Sequence, residues 1–376
     1  MKLLYFLRAI WATGFASVYR VLPSYLASTF SATQISTIYS AYALPKLFNI
    51  PCGYASDRIG KRRTIFLVFL FLLLVTLSFT AMTSILFYAV MFFMVGVLGN
   101  FFHPSIVSIA TIISERKTET LFRLESAYQI GVVIGPIIGG FLMFNYGLTA
   151  SFLVWAGLSI IGLVSSSYLL GYKKYSTTSK RPIYSGFWKQ LRDQKSGFIT
   201  YMFSGSFVTG YFESVVAVAL PIYMIVVGLS VVDVGLVIGT GAAISIVLLN
   251  VIGPRLHKTS TELSLVMMLL LGGISVVLMG VFTDTIALAI LMGIFITGRA
   301  GGLNVARKFY SDNINEHLRS TGMSISDMVQ YSARIVGPIT AGILIDVFSP
   351  AAAFATIFVF SIIGIGVLLV YRAKGI

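Results

Sequence analysis

Long apolar runs separated by short polar breaks constrain the fold of this chain more than any other feature. A membrane-spanning helix needs about 20 mostly apolar residues. The sequence contains twelve such runs, at 3–29, 33–54, 64–82, 84–111, 122–144, 149–170, 198–226, 231–252, 262–282, 285–307, 322–346 and 350–371. Charged residues make up 11% of the chain, against about 25% in a soluble domain. The sequence therefore predicts an all-α integral membrane protein with twelve transmembrane helices.

Apart from the few at membrane depth discussed below, the basic residues, beginning with Lys2 and Arg8 at the N-terminus, fall on one side of this twelve-span zigzag. The formal net charge is +14, but the breaks of the opposite side contain no Lys or Arg, namely 29–33, 82–85, 144–149, 226–231, 282–286 and 346–351. Because Lys and Arg concentrate in cytoplasmic loops, both termini are predicted to be cytoplasmic, in a multi-pass protein of the cell membrane. The positive charge thus records topology, and we expect membrane lipids and no nucleic acid as partners.

The sequence offers no constellation for catalysis or for ATP binding. Cys52 is the single cysteine, and the three histidines, His103, His257 and His317, are scattered. No phosphate-binding loop of the G-x-x-x-x-G-K-[ST] type occurs. We therefore predict no metal site, no cofactor and no enzymatic activity, which leaves an ion or solute gradient as the energy source for any transport.

Short motifs recur at an offset of about 200 residues. The segment 22–25 (Leu-Pro-Ser-Tyr) matches 220–223 (Leu-Pro-Ile-Tyr) at an offset of 198, and Gly135-Pro136 matches Gly337-Pro338 at an offset of 202. The pairs Ser31/Gln34 and Ser230/Asp233 both read as capping boxes that begin a helix. A duplicated half is the simplest explanation. It predicts two pseudo-symmetric halves of six helices, 1–170 and 198–376, joined by a cytoplasmic linker at 171–197.

The stretch from Gly53 to Arg63 resembles the loop motif G-x-x-x-D-R-x-G-R/K-R/K of the major facilitator superfamily. Its defined positions include Gly53, Asp57, Arg58, Gly60 and Arg62. The resemblance implies a secondary transporter in which these residues gate the conformational change. It also implies that the Asp of the motif faces the N-terminal end of span 11, near 321–324. Asp327, about one turn inside that span, is assigned to the same gate.

A second motif resembles the span-5 motif that major facilitators of the antiporter and exporter type carry. It reads Gly131-x-x-x-Gly135-Pro136-x-x-Gly139-Gly140. Glycines at four-residue spacing permit close helix packing, so packing alone is the simpler interpretation; we assign the same role to Gly337 and Pro338. One departure concerns span 4, which lacks the arginine of the family's drug–proton antiporters. Span 4 instead contains Asn100-Phe-Phe-His103-Pro104, which is similar over three residues to the Phe-His-Pro stretch of some facilitator exporters of the fosmidomycin-resistance kind.

Ionisable residues at membrane depth are costly and default to functional hypotheses. Four are basic, namely Arg20, Lys46, Arg299 and Arg334. Glu213 is the deepest acid. Pairing between helices is the structural alternative, but one deep acid cannot neutralise four cations. We therefore expect at least two of them to face a wet cavity and bind an anionic substrate, with Glu213, or else His103, carrying the coupled proton.

These observations favour a monomeric secondary active transporter that works by alternating access. We expect it to move a small anionic solute coupled to protons. The alternative is a proton-driven exporter of lipophilic drugs, which the span-5 motif favours and the missing span-4 arginine disfavours. A membrane-embedded sensor, a lipid-handling scaffold and a membrane enzyme are the other classes, and none has a supporting motif.

Overall fold

The computed structural model describes residues 1–81, 83–114, 116–170, 195–256, 259–313 and 319–373. In these ranges every regular element is a helix, which confirms the predicted all-α class. Most of the predicted linker, 171–194, lies outside the described residues.

The first sequence half contains eight α-helices, several of them parts of one predicted span. They are α1 (Lys2–Tyr19), α2 (Leu22–Leu26), α3 (Ala32–Ala43), α4 (Asn49–Ile59), α5 (Lys61–Ser78), α6 (Ile85–Ile113), α7 (Lys117–Tyr146) and α8 (Leu148–Leu170). A 3-10 turn, Leu44–Phe48, joins α3 to α4. Pro45 in this turn has no N–H to donate, which removes one hydrogen bond from the helix of the second span.

The second sequence half contains seven α-helices. They are α9 (Lys195–Tyr201), α10 (Val208–Val226), α11 (Val231–Leu256), α12 (Thr261–Met279), α13 (Thr285–Asn313), α14 (Arg319–Val347) and α15 (Pro350–Ala373). A π-helical turn, Met202–Phe207, connects α9 to α10. The two predicted capping boxes are confirmed: Ser31 N donates to Gln34 Oε1 at 3.0 Å, and Ser230 N donates to Asp233 Oδ2 at 2.9 Å.

Each of the twelve predicted apolar runs lies on one of these helices or on a consecutive set of them. Among the described residues, nine helices are long and apolar enough to cross a membrane. The first three runs fall outside that set. α1 carries Lys2 and Arg8, the second run is broken at its 3-10 turn, and α5 begins with three consecutive basic residues. A count of twelve crossings therefore stays a prediction.

The described residues group into two compact units. The first comprises those of Met1–Phe30, Ala41–Ser179 and Gly228–Gly239, and the second those of Ser31–Ser40, Lys180–Val227 and Thr240–Ile376. The division passes through two helices, α3 between Ser40 and Ala41 and α11 between Gly239 and Thr240. Each unit therefore includes the first part of a helix whose remainder belongs to the other.

In the first unit, glycines of α7 bring that helix into backbone contact with α1. A Cβ atom at Gly131 would lie 2.6 Å from Thr13 N, one at Gly135 2.7 Å from Thr13 O, and one at Gly139 2.6 Å from Ser17 C. Real Cβ atoms do not approach neighbours this closely, so only glycine fits on this face. The glycine motif of the sequence is thus a packing surface against α1.

Candidate functional site

The second unit brings three of the sequence-predicted charges together. Glu213 lies on α10, Arg299 on α13 and Arg334 on α14, separated along the chain by 86 and 121 residues. Arg334 Nη2 donates to Glu213 Oε2 at 2.5 Å, and Arg299 Nη1 donates to the same oxygen. We call Glu213, Arg299 and Arg334 the three-charge cluster.

Close helix contacts position this cluster. A Cβ atom at Gly210, one turn before Glu213 on α10, would lie 2.5 Å from the backbone oxygen of Gln330, one turn before Arg334 on α14. A Cβ atom at Gly298, next to Arg299, would lie 2.7 Å from Met268 O of α12. Glycines near Glu213 and Arg299 therefore let α10 approach α14 and α13 approach α12 closely, which helps to bring the charged side chains to one place.

The three-charge cluster has a net positive formal charge in a mostly buried position. The side chains of Glu213, Arg299 and Arg334 are only 15%, 18% and 21% exposed. One carboxylate faces two guanidinium groups, so the formal charge is +1 when Glu213 is ionised. Because charge in low dielectric is costly without a partner, removing the carboxylate leaves two cations that favour another anion in its place.

Aromatic and amide groups border the cluster. The guanidinium carbon of Arg334 lies 4.8 Å from the ring centroid of Tyr331, a cation–π arrangement. Gln330 is 3% exposed, and within the described ranges its Nε2 has no hydrogen-bond partner. A buried amide donor of this kind suits a ligand that accepts hydrogen bonds.

A second arginine–carboxylate pair lies elsewhere on α13 and α14. Arg307 Nη2 donates to Asp327 Oδ1 at 2.9 Å, with side chains 40% and 35% exposed. Water screens such a pair more strongly than the three-charge cluster. Asp327, predicted to gate the conformational change, therefore has a direct cationic partner on the neighbouring helix.

The first unit contains the other two predicted substrate-binding cations. Lys46 lies in the 3-10 turn, is 6% exposed, and has its Nζ 5.7 Å from the centroid of the Tyr42 ring. That ring stacks on Phe15 and lies 4.9 Å from the ring of Tyr19. Arg20, the residue after Tyr19, is the C-cap of α1 and is half-buried. Lys46 and Arg20 thus belong to a different unit from the three-charge cluster.

Arg8 is a buried charge that the sequence did not reveal as buried. It was predicted among the basic residues of the cytoplasmic side, and it is 6% exposed on α1. Its Nη2 lies 3.9 Å from Glu125 Oε2, and its guanidinium carbon lies 4.5 Å above the ring of Tyr128. The signal was Glu125 and Tyr128 three residues apart on α7, one helical turn, where a single cation can meet both.

The remaining predicted site residues are distributed as follows. His103 is exposed on α6. Of the loop-motif residues, Gly53 and Arg58 belong to α4, which runs to Ile59, so the motif is more helical than a loop; the side chain of Asp57 lies outside the described residues. Gly60 has φ 96°, a conformation that favours glycine, and it separates α4 from α5. Arg62 is half-buried in the first turn of α5.

Gly337 and Pro338, which the sequence predicted as helix-packing residues, lie in the second unit. A Cβ atom at Gly337 would lie 3.3 Å from Tyr211 O of α10, and Pro338 is buried inside α14. Among the described residues, no three His, Cys, Asp or Glu side chains lie close enough to hold a metal ion.

A comparison with known protein families identifies the family of this chain. The sequence profile described as Major Facilitator Superfamily matches residues 4–338. The chain belongs to the Major Facilitator Superfamily. It is also 23% identical, over 387 aligned positions, to an uncharacterised transporter of this type from Methanocaldococcus jannaschii, and the alignment covers 97% of each chain. It is accordingly a multi-pass membrane transporter of the secondary type.

Solved major facilitator structures are similar to this chain over nearly its whole length. The nucleoside transporter NupG superposes with a TM-score of 0.80 at 12% identity, covering 99% of this chain and 98% of its own. A POT family transporter in complex with 5-aminolevulinic acid gives 0.77 at 16% identity, covering 99% and 96%. At these identities the similarity establishes the fold alone.

Proposed function

We propose that this facilitator transports a small anionic solute together with protons by alternating access. The carrying observation is the three-charge cluster, in which two guanidinium groups share one carboxylate oxygen in a mostly buried position. Arg20 and Lys46 of the first unit are proposed as further substrate-binding cations, and His103 as an alternative proton carrier.

The two arginines supply the chemistry for anion binding. A guanidinium group presents paired N–H donors that match carboxylate or phosphate oxygens. In the structure Glu213 occupies one end of this donor set. A substrate anion of the same geometry can take over those donors once Glu213 withdraws, so the cluster is a site in which an internal carboxylate and an external one compete.

Protonation of Glu213 provides the coupling. A neutral carboxyl group no longer attracts the two guanidinium groups as a charge, which frees them for the substrate. Binding one proton and one monovalent anion leaves the formal charge of the cluster at +1, the same as before binding. Proton and anion binding therefore support each other, because each removes the electrostatic cost that the other creates.

Two further observations support this assignment. One structure with the same fold holds 5-aminolevulinic acid, a small solute that carries a carboxylate beside its amino group, so a carrier of this fold can bind a carboxylate-bearing solute. The absence of Lys and Arg from alternate loops supports the cell membrane with cytoplasmic termini.

We further propose a monomer, gated by Asp57 and Asp327, with 171–197 as the strap between two six-helix halves. The glycine motif of α7 favours export.

A ligand-stabilisation screen tests the proposed substrate class. Purified protein is heated in detergent with small carboxylates and phosphate, with lipophilic cations, and with neutral sugars. A ligand that binds only the folded state stabilises it by about 2.7 kcal/mol at 100 times its dissociation constant. We expect anions to raise the melting temperature of the parent protein and not that of Arg334→Gln.

The matched control is Arg307→Gln, which removes an arginine–carboxylate pair from the same helix and unit as Arg299 but outside the cluster. It should respond to anions as the parent does. Stabilisation by lipophilic cations instead, with an equal response in Arg334→Gln, would replace the anion proposal by drug export.

A further inference from the structure

Asp346, in the last turn of α14, binds the beginning of a helix that is distant in the sequence. Its Oδ1 accepts a hydrogen bond from Ala32 N at 2.8 Å, and its Oδ2 accepts one from Thr33 N at 2.9 Å. These residues are more than 310 positions apart in the chain and lie in the same unit. The carboxylate thus covers the first turn of α3.

The local capping box of α3 leaves this position open for Asp346. Ser31 Oγ accepts from Gln34 N at 3.2 Å, and Gln34 Oε1 accepts from Ser31 N at 3.0 Å. The N–H groups of Ala32 and Thr33 are the two that this box does not use. A helix begins with four N–H groups that lack a partner inside the helix, and these two pairs of contacts satisfy all four. The negative carboxylate also meets the positive end of the helix dipole.

The contact between α3 and α14 continues inward from Asp346. A Cβ atom at Gly342 would lie 2.7 Å from Ala32 O, so the two backbones touch one turn further along α14. Deeper still, Ser40 Oγ donates to Ile335 O at 2.8 Å. Asp346 is therefore the end of a contact that runs along about three turns of α14.

Other acids at helix beginnings act locally. Asp284 Oδ2 accepts from Ala287 N of its own helix at 2.9 Å, and Asp233 completes the capping box of α11. The charge pattern predicts these residues, like Asp346, at the outer side of the membrane. Asp346 differs from both because it joins a helix from the first sequence half to a helix from the second.

We infer that Asp346 is a latch that holds the outer ends of α3 and α14 together and releases when the outer side of the transporter opens. This inference rests on the proposed alternating access and not on the substrate class. The hydrogen bonds between the Asp346 carboxylate and the first turn of α3 are suited to reversible opening. Water can solvate a carboxylate and two backbone N–H groups that lie at a helix end, whereas the contacts further in, at Gly342 and Ser40, involve no charged group and can re-form without a change of charge.

The test measures the accessibility of a thiol placed beneath the latch. Ser40→Cys is introduced into a Cys52→Ser background, because Ser40 is 8% exposed and faces α14. Labelling by a water-soluble maleimide is then followed in lipid nanodiscs. We expect Asp346→Asn and Asp346→Ala to raise the labelling rate about tenfold, as loss of charge-assisted bonds to a helix end implies. Asp284→Asn, the matched control, should stay within about twofold of the parent.

A second reporter separates opening from general loosening. Ser361 is fully buried on α15 in the same unit, and Ser361→Cys should label equally slowly with and without Asp346→Asn. An equal rise at both reporters, or no rise at Ser40→Cys in protein that labels completely after unfolding, overturns the latch. The assay contains no substrate, so its outcome is independent of the anion screen.

Discussion

Replacing Gly139 by alanine is expected to destabilise the protein by more than about 3 kcal/mol, enough to prevent recovery of folded protein. The added methyl group would overlap the carbonyl oxygen of Ser17 and lie 2.6 Å from its carbonyl carbon. Both atoms belong to the backbone of α1, so no side-chain rotation relieves the overlap. The helices must instead separate along their whole glycine face, which loses packing at Gly131 and Gly135 as well.

Gly157 provides the matched control for this substitution. It lies in α8, and a Cβ atom there would meet no atom within 4 Å. Gly157→Ala should therefore be neutral or stabilise by up to about 1 kcal/mol, because alanine favours a helix over glycine. The two variants are compared with the parent by thermal melting in one detergent, followed by size-exclusion chromatography. A Gly139→Ala protein that melts with the parent would refute the close contact between α1 and α7.

Replacing Glu213 by glutamine is expected to abolish the pH dependence of anion binding. In the proposed mechanism, an ionised Glu213 competes with the anion for Arg299 and Arg334, the two arginines that it contacts in the structure. Over the pH range in which Glu213 is ionised without ligand, each unit of falling pH should strengthen binding about tenfold, since one proton is taken up with each anion. Glutamine is neutral at every pH, so the variant should bind with a constant affinity equal to the strongest affinity of the parent.

The same substitution should make the protein depend on anions for its stability. Removing one partner of a buried ion pair costs about 3–5 kcal/mol because it leaves charge uncompensated. An anion that bridges the two arginines should restore much of this loss in Glu213→Gln. Melting curves are recorded across pH with a carboxylate that remains ionised throughout the titration. Asp327→Asn, which neutralises the carboxylate of the more exposed Arg307–Asp327 pair, should keep the pH dependence of the parent. A Glu213→Gln protein with that dependence unchanged would remove Glu213 from the coupling step.

The sequence predicted helices well because the bilayer imposes them. Backbone N–H and C=O groups find no water in hydrocarbon and must bond within the segment, so an apolar run long enough to cross is a helix. The breaks inside runs were harder. Pro45 was visible in the sequence, but the 3-10 turn that contains it, Leu44–Phe48, and the π-helical turn at Met202–Phe207 depend on packing.

The candidate site was predicted as a set of residues but not as an arrangement. Glu213, Arg299 and Arg334 were each selected because a charge at membrane depth is costly, and that argument requires no knowledge of neighbours. Whether the two arginines reach the same oxygen of Glu213 depends on how each of the three helices is oriented about its own axis, and the sequence of one helix does not specify that orientation. The roles of Arg8 and Asp346 were missed for the complementary reason: Arg8 follows the basic N-terminus and Asp346 lies at a helix end, both places where a charge is ordinary, and only the partner of each reveals its role.

The sequence by itself determined the family, the helical class and the position of the charges along each helix. Composition, apolar run length and local motifs carry that information, and each acts within one segment. The tertiary structure decided which charges pair, that the glycine face of α7 packs against α1, and that Asp346 accepts hydrogen bonds from the first turn of α3. These contacts join segments up to 314 residues apart. They depend on how close two backbones can approach, which is a property of both helices together and is written in neither one alone.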